Sequence, residues 1–175
     1  MLSDHDHEIK VINIKKNVSL NDFMGVYKIF TYAPYNEKWS DDEIKKVYYT
    51  MQNEGKVFGI YDNLDCVGII TLTDKNQPLN FTKKALYIAD LAVLSRYRKY
   101  NISDNLLDFA IEYAKENMYE IIYLRTLEKG NSLDYDSFKN KKLKKINDKC
   151  QVVKMERTRV CKDEDCRIFM KYDIV

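Results

Sequence analysis

Glycine and proline are scarce in this chain, five and two among 175 residues, against an average glycine usage of about seven per cent. The glycines stand at Gly25, Gly55, Gly59, Gly68 and Gly130, and none lies within three residues of another. That spacing excludes the glycine-paired phosphate loops G-x-G-x-x-G and G-x-x-x-x-G-K-[ST]. Long apolar runs are missing as well. No stretch approaches the roughly 18 residues of a spanning helix, and MLSDHDHEIK at the start lacks the apolar stretch of a secretion signal. A membrane partner is therefore not expected, and the four cysteines read as reduced thiols in a soluble, cytoplasmic protein. The net charge of +2 is too small to imply a polyanion partner such as nucleic acid. What is present suits one compact domain over residues 1–175, with 45% hydrophobic and 13% aromatic residues to pack a core.

Residues 8–14 alternate and carry β-branched side chains, as a strand does. Ser19 and Ser40 each precede a carboxylate three residues on and then an apolar stripe at helical spacing, which predicts two capped helices. Lys56 to Tyr61 and Cys66 to Thr73 flank DNLD and read as a hairpin. KALYIADLAVL, from Lys84 to Leu94, is an almost unbroken apolar strand interrupted by Asp90, as suits a central strand covered on both faces. Residues 101–117 form the clearest amphipathic helix, and Tyr119 to Arg125 the next strand, so the three make a βαβ unit with parallel, adjacent strands. A lysine-rich helix is expected after Asn131, then strands over Val152 to Val160 and Cys166 to Tyr172 joined by a CKDED turn. The order β, α, α, β, β, β, α, β, α, β, β describes one mixed sheet with helices on its faces.

Residues 86–107, LYIADLAVLSRYRKYNISDNLL, run from the apolar strand through a polar loop into the amphipathic helix. Together with the element order they resemble the GNAT superfamily of acyl-CoA-dependent N-acyltransferases over nearly the whole chain. That family writes its loop Q/R-x-x-G-x-G/A. The matching residues are Arg98, Lys99, Tyr100, Asn101, Ile102 and Ser103, with Tyr97-Arg98 on the family's Tyr-Arg pair and Leu106-Leu107 on its helix leucines. Asn101 and Ser103 replace both glycines, and Asp104 follows as an acid that Arg96, Arg98 and Lys99 can offset. A second family motif, N-x-x-A/S-x-x-x-Y-x-x-x-G-F, meets Asn131 but has Asp134, Phe138 and Lys142-Leu143 at its other positions. The resemblance implies an α+β fold in three α/β/α layers. A single mixed, mostly antiparallel sheet of about seven strands would carry helices on both faces. It also implies acetyl-CoA as co-substrate, no metal, and an amine of a small molecule or peptide as partner; a homodimer is compatible with it.

A helix N-terminus offers unpaired N–H groups and about half a positive charge, so a pyrophosphate is favoured there. Asn101 is the non-glycine residue best suited to the left-handed backbone such a loop needs. The other reading of Asn101 is a plain N-cap with Asp104 as its capping-box partner. In the resemblance, main-chain atoms of Leu91, Ala92 and Val93 lie against the pantetheine arm and polarise the thioester carbonyl. Asp90, the charged residue inside the strand, is the candidate base, with a structural carboxylate as the alternative. Phe138 has no proton for the leaving thiolate, so Tyr135, one turn earlier on the same helix face, is the candidate acid. Tyr32, Tyr35 and Trp39 lie in the loop joining the first two helices, where aromatics can cage a cationic amine or pack the loop onto the sheet.

Other signals are weaker. DHDHE at residues 4–8 and the set Cys150, Cys161 and Cys166 lack metal-ligand spacing. KNKKLKK at residues 139–145 reads as a solvated helix face, near the CoA 3′-phosphate or on nucleic acid. The leading expectation is an N-acetyltransferase. Its rivals are an acyl-CoA-binding protein of this fold without catalysis and a module binding nucleic acid through the lysine-rich helix.

Overall fold

The computed structural model describes residues 12–32, 35–127, 143–145, 151–152 and 166–175. Strand β1 (Ile12–Lys15) leads to helix α1 (Leu20–Tyr27), a 3-10 turn over Lys28–Thr31, and helix α2 (Asp41–Glu54). Strands β2 (Gly55–Asp62), β3 (Asp65–Thr73) and β4 (Ala85–Val93) follow as an antiparallel meander. A second 3-10 turn over Ser95–Tyr100 delivers helix α3 (Ile102–Glu116), and strand β5 (Ile121–Leu127) returns parallel to β4. The two-residue strands β6 (Lys144–Lys145) and β7 (Gln151–Val152) both pair with the last strand, β8 (Cys166–Asp173). Among the described residues the sheet thus has eight strands, one more than expected. Its order is β1-β2-β3-β4-β5-β8-β6, with β7 beside β8.

Local chemistry fixes the helix starts. Ser19 accepts from the N–H of Asp22 at 3.1 Å and Ser40 from that of Glu43 at 3.2 Å, each relieving an orphan donor of a first turn. The acid expected to complete the first box is engaged elsewhere, because Asp22 accepts the Tyr61 hydroxyl at 2.8 Å. The hairpin turns at Asn63, which adopts φ 56°. Asparagine tolerates that left-handed backbone, so the turn needs no glycine.

The three helices among the described residues divide between the two faces of the sheet. Phe23, Val26 and Tyr27 of α1 and Ile44, Val47 and Met51 of α2 pack on Val57, Ile69 and Ala92. On the other face Ile102, Leu106, Leu107, Ala110, Ile111 and Ala114 of α3 pack on Phe58, Ile60, Ile70, Leu86, Ile88 and Ile122. Each Val, Leu, Ile, Phe or Met side chain among them contributes about 1.5–3 kcal/mol on burial. Gly68 lets α3 approach the sheet, since a Cβ there would stand 2.8 Å from Ile60 Cγ2 and 3.1 Å from Leu106 Cδ1. A smaller cluster of Tyr87, Tyr123 and Phe169, on the α1/α2 side, is closed by Leu79 and Phe81 of the β3–β4 connection.

The expected lysine-rich helix does not extend through its last residues. Lys144 and Lys145 are strand, opposite Lys171 and Met170, and Leu143 just before them is buried in the α3-side core. Burying Leu143 next to the hydrogen-bonding edge of β8 outweighs a helical pattern that rested on charge alone. Residues 128–142 and 153–165, including the rest of that helix, most of the predicted strand to Val160 and the CKDED turn, lie outside the described residues.

Candidate active site

Two irregularities at the centre of the sheet build the site. In β4 the register slips by one residue, so that Thr71 faces Asp90 while Leu72 faces Ile88, and Ala89 is the extra residue. A bulge of this kind bends its strand and re-aims the side chains beyond it. Leu86 and Ile88 point into the α3-side core, whereas Asp90 and Ala92 point to the α1/α2 side. The second irregularity is a parting of strands. β4 and β5 pair from Ala85↔Ile121 to Ile88↔Leu124 and no further. Beyond that point β4 stays on β3 to Val93, while β5 stays on β8 to Leu127. Residues 89–93 therefore have no strand beside them on the β5 side among the described residues, and Leu91 is half-buried while Ala92 and Val93 are buried.

Asp90 lies in this opening, 8% exposed. Its Oδ2 accepts the Thr71 hydroxyl at 2.7 Å and its Oδ1 the Tyr27 hydroxyl at 3.2 Å. A carboxylate so far out of water is sustained by such donors. The two hydroxyls, one from β3 and one from α1, hold the carboxylate's orientation.

Tyr27 also links Asp90 to the loop between α1 and α2. Its ring meets Trp39 edge-on at 5.2 Å and Phe30 at 5.0 Å. Trp39 donates its indole N–H to Glu37 at 2.9 Å, and Tyr35 packs edge-on against Phe30 at 5.1 Å. Trp39 and Tyr35 are half-buried, and Tyr32 is exposed. Trp39 and Tyr35 thus fasten the loop to the body, and Tyr32 is exposed. The buried Glu37 was not anticipated. In sequence it is one acid among many, and its two-residue spacing from the single tryptophan is a hint only in hindsight.

At the far end of β4, Leu94 donates to Val67 O at 2.9 Å and Tyr97 to Leu94 O at 2.9 Å, starting the 3-10 turn. Asn101 follows with φ 58° and ψ 29°, and its carbonyl accepts from Asn105 N at 3.0 Å. Its side chain makes no capping bond, which corrects the capping-box reading with Asp104. A side-chain cap needs extended backbone at the N-cap residue, and the left-handed geometry turns the amide away from the first-turn N–H groups. Arg98, Tyr100, Ser103 and Asp104 are half-buried around this terminus, Lys99 is exposed and Ile102 is buried in the core. The ammonium of Lys99 stands 5.4 Å from the Tyr100 ring centre and the guanidinium of Arg96 5.3 Å from that of Tyr97.

Arg125 was also missed. It stands on β5 past the parting, opposite Phe169 of β8, with its guanidinium 5.7 Å from that ring. Phe169 belongs to the cluster on the α1/α2 side, so Arg125 shares the face onto which Asp90 opens. Asn131, Tyr135 and Phe138 lie outside the described residues, as do residues 4–8 and Cys150 and Cys161.

A central strand that bulges, parts from its parallel neighbour and runs into a helix N-terminus is the arrangement of an acyltransferase fold. Residues 20–133 match the acetyltransferase (GNAT) family, and the chain belongs to that family. Streptothricin acetyltransferase A of Bacillus subtilis is 36% identical over 94 residues, 53% of this chain and 50% of the relative. The chain thus matches about half the length of that curated relative. An N-acetyltransferase of Staphylococcus aureus Mu50 superposes over 94% of this chain and 99% of its own, with a TM-score of 0.73 at 17% identity. A Bacillus subtilis acetyltransferase solved in complex with CoA superposes over 94% and 98%, with a TM-score of 0.63 at 11% identity. These structures share the mixed, mostly antiparallel sheet and its flanking helices. No helix among the described residues is long and apolar enough to cross a membrane.

Proposed function

We propose that this chain is an N-acetyltransferase that moves the acetyl group of acetyl-CoA to a primary amine of a small molecule or peptide, by direct attack in a ternary complex. One observation carries the reading: β4 and β5 part beside a buried carboxylate, in a strand that leads to an open helix N-terminus. The parted edge gives main-chain groups of Leu91, Ala92 and Val93 to an extended thioester arm, and an N–H among them polarises the carbonyl. Residues 98–104 surround the pyrophosphate, with Asn101 holding the first-turn amides outward and Arg98 and Lys99 balancing Asp104. CoA in a structure of the same fold supports the co-substrate.

Asp90 takes a proton from the acceptor ammonium, directly or through water, freeing the lone pair that attacks the carbonyl carbon. The carbon–sulfur bond breaks, the amide nitrogen gives up its remaining extra proton to water, and the thiolate is protonated by Tyr135 or by water. Asn131 and Phe138 complete the cofactor side, and Tyr32, Tyr35 and Trp39 border the acceptor. The name of the Bacillus subtilis relative supports a small-molecule acceptor. The test is thiol release from acetyl-CoA over a panel of polyamine, aminoglycoside, amino-acid and peptide amines, with Asp90→Asn beside the wild type. A loss in kcat/KM above tenfold is expected; a loss below threefold removes Asp90 from the mechanism. Absence of thermal stabilisation by both acetyl-CoA and CoA overturns the reading.

A further inference from the structure

The turn that carries Arg98, Lys99 and Tyr100 toward the helix terminus contains no glycine, yet its shape is set by more than its own sequence. Tyr97, in its middle, is 6% exposed and reaches back to Asp62 at the end of β2, itself 5% exposed. The phenol donates to Asp62 Oδ2 at 3.1 Å, across 35 residues of sequence. Burial, and then the Asp62 carboxylate that accepts its proton, raise the pKa of the Tyr97 phenol, against the opposing pull of Arg96. The phenol therefore keeps its proton and remains a donor at neutral pH. Both partners are shielded from water, so breaking the bond takes one hydrogen bond from buried polar atoms, which is costly. The turn is also pinned at its start by Leu94 N to Val67 O, at 2.9 Å. Its aromatic rings lie in sequence, Tyr97 and Tyr100 at 6.0 Å, with Arg96 and Lys99 against them.

An anion site made of helix N–H groups works only if those groups converge, and a misplacement of about 1 Å is costly. We infer that Tyr97 and Asp62 are positioning residues, a latch between β2 and the turn before α3 that holds the pyrophosphate-facing amides and cations in register. The inference rests on the acyl-CoA reading. It predicts an effect on the nucleotide half of the co-substrate and none on the thioester half.

The experiment compares acetyl-CoA with S-acetylpantetheine, which lacks the pyrophosphate, in turnover with one saturating amine from the panel, and measures CoA affinity by calorimetry. Tyr97→Phe, which removes one oxygen, is expected to raise the CoA Kd and the acetyl-CoA KM by five- to twentyfold with kcat within twofold. Its kcat/KM for S-acetylpantetheine should stay within twofold of wild type. Asp62→Ala should give the same pattern from the other end of the bond, and Asp62→Asn, which keeps an acceptor oxygen, should recover most of the affinity. Equal losses on both acyl donors, or an unchanged CoA Kd in Tyr97→Phe and Asp62→Ala, overturn the latch while leaving the enzyme an acetyltransferase. A wild type that binds no CoA overturns the acyl-CoA reading and the latch with it.

Discussion

Thr71 and Asp90 stand opposite each other in the β3–β4 ladder, and the Thr71 hydroxyl donates to the Asp90 carboxylate at 2.7 Å. The pairing exists because the register slips at Ala89; without that slip Asp90 would point to the other face. Thr71→Val keeps the shape and deletes the donor, leaving Tyr27 as the remaining hydroxyl donor. Stability should fall by about 1–3 kcal/mol, the cost of leaving a buried acceptor short, measured by urea denaturation. If Asp90 is the base, kcat/KM should also fall, because the carboxylate has lost a bond that fixes its orientation. Tyr27→Phe should lower kcat/KM in the same way.

Asn101 holds φ 58°. Asn101→Gly should leave CoA affinity within about twofold and stability nearly unchanged, since glycine adopts this backbone without steric cost. Asn101→Val should lower stability by roughly 1–2 kcal/mol and weaken CoA binding more than acceptor binding. Thermal melts with and without CoA check both variants.

Gly68 lies under α3, with Ile60 and Leu106 too close to admit a methyl group without movement. Gly68→Ala should lower stability by about 1–3 kcal/mol through overpacking. Ile60→Ala, which removes the crowding Cγ2, should therefore cost less in the Gly68→Ala chain than in the wild type, a coupling that a double-mutant cycle measures.

Burial pushes the Cys66 thiol up to about 11, with the Asp22 carboxylate adding to it and bonds to Tyr61 and Gly68 opposing. In a chain where Cys150, Cys161 and Cys166 are replaced by serine, alkylation by iodoacetamide should be slow at pH 8 and rise toward pH 11. The sign for stability follows. The folded state binds its proton more tightly, so this contribution is complete below the ordinary thiol value near 8.5 and is lost as pH rises toward 11. An alkylation rate that levels off near pH 9 would contradict this.

Much of the architecture is legible in the sequence because it follows from local chemistry. Ser19 and Ser40 announce helix starts, the stripe from Ile102 to Ala114 announces a face, and a strand–helix–strand span of about forty residues admits one parallel geometry. The direction of Asp90 is not legible. KALYIADLAVL is apolar on both sides of Asp90, so it carries no period, and a slip of register is a property of two strands rather than of either alone. The left-handed backbone of Asn101 is legible in its residue type, but the sequence cannot choose between it and a side-chain cap, because the same residue type serves left-handed turns and N-caps. The hydrogen bonds of Thr71 and Tyr97 are not legible because each acts through a partner far along the chain, Asp90 and Asp62 respectively. Trp39 is only two residues from Glu37, but nothing in the loop's composition says which acid folds inward.

The parting of β4 from β5 has a bearing on solubility. A strand edge with nothing paired to it is a template for any extended chain, and sheets guard their outer edges with charge, proline or bulges. Among the described residues such an edge lies in the middle of the sheet, guarded by its shortness and by the bulge at Ala89. A molecule that fills it completes the sheet. Storage with CoA should therefore slow aggregation as well as raise the melting point.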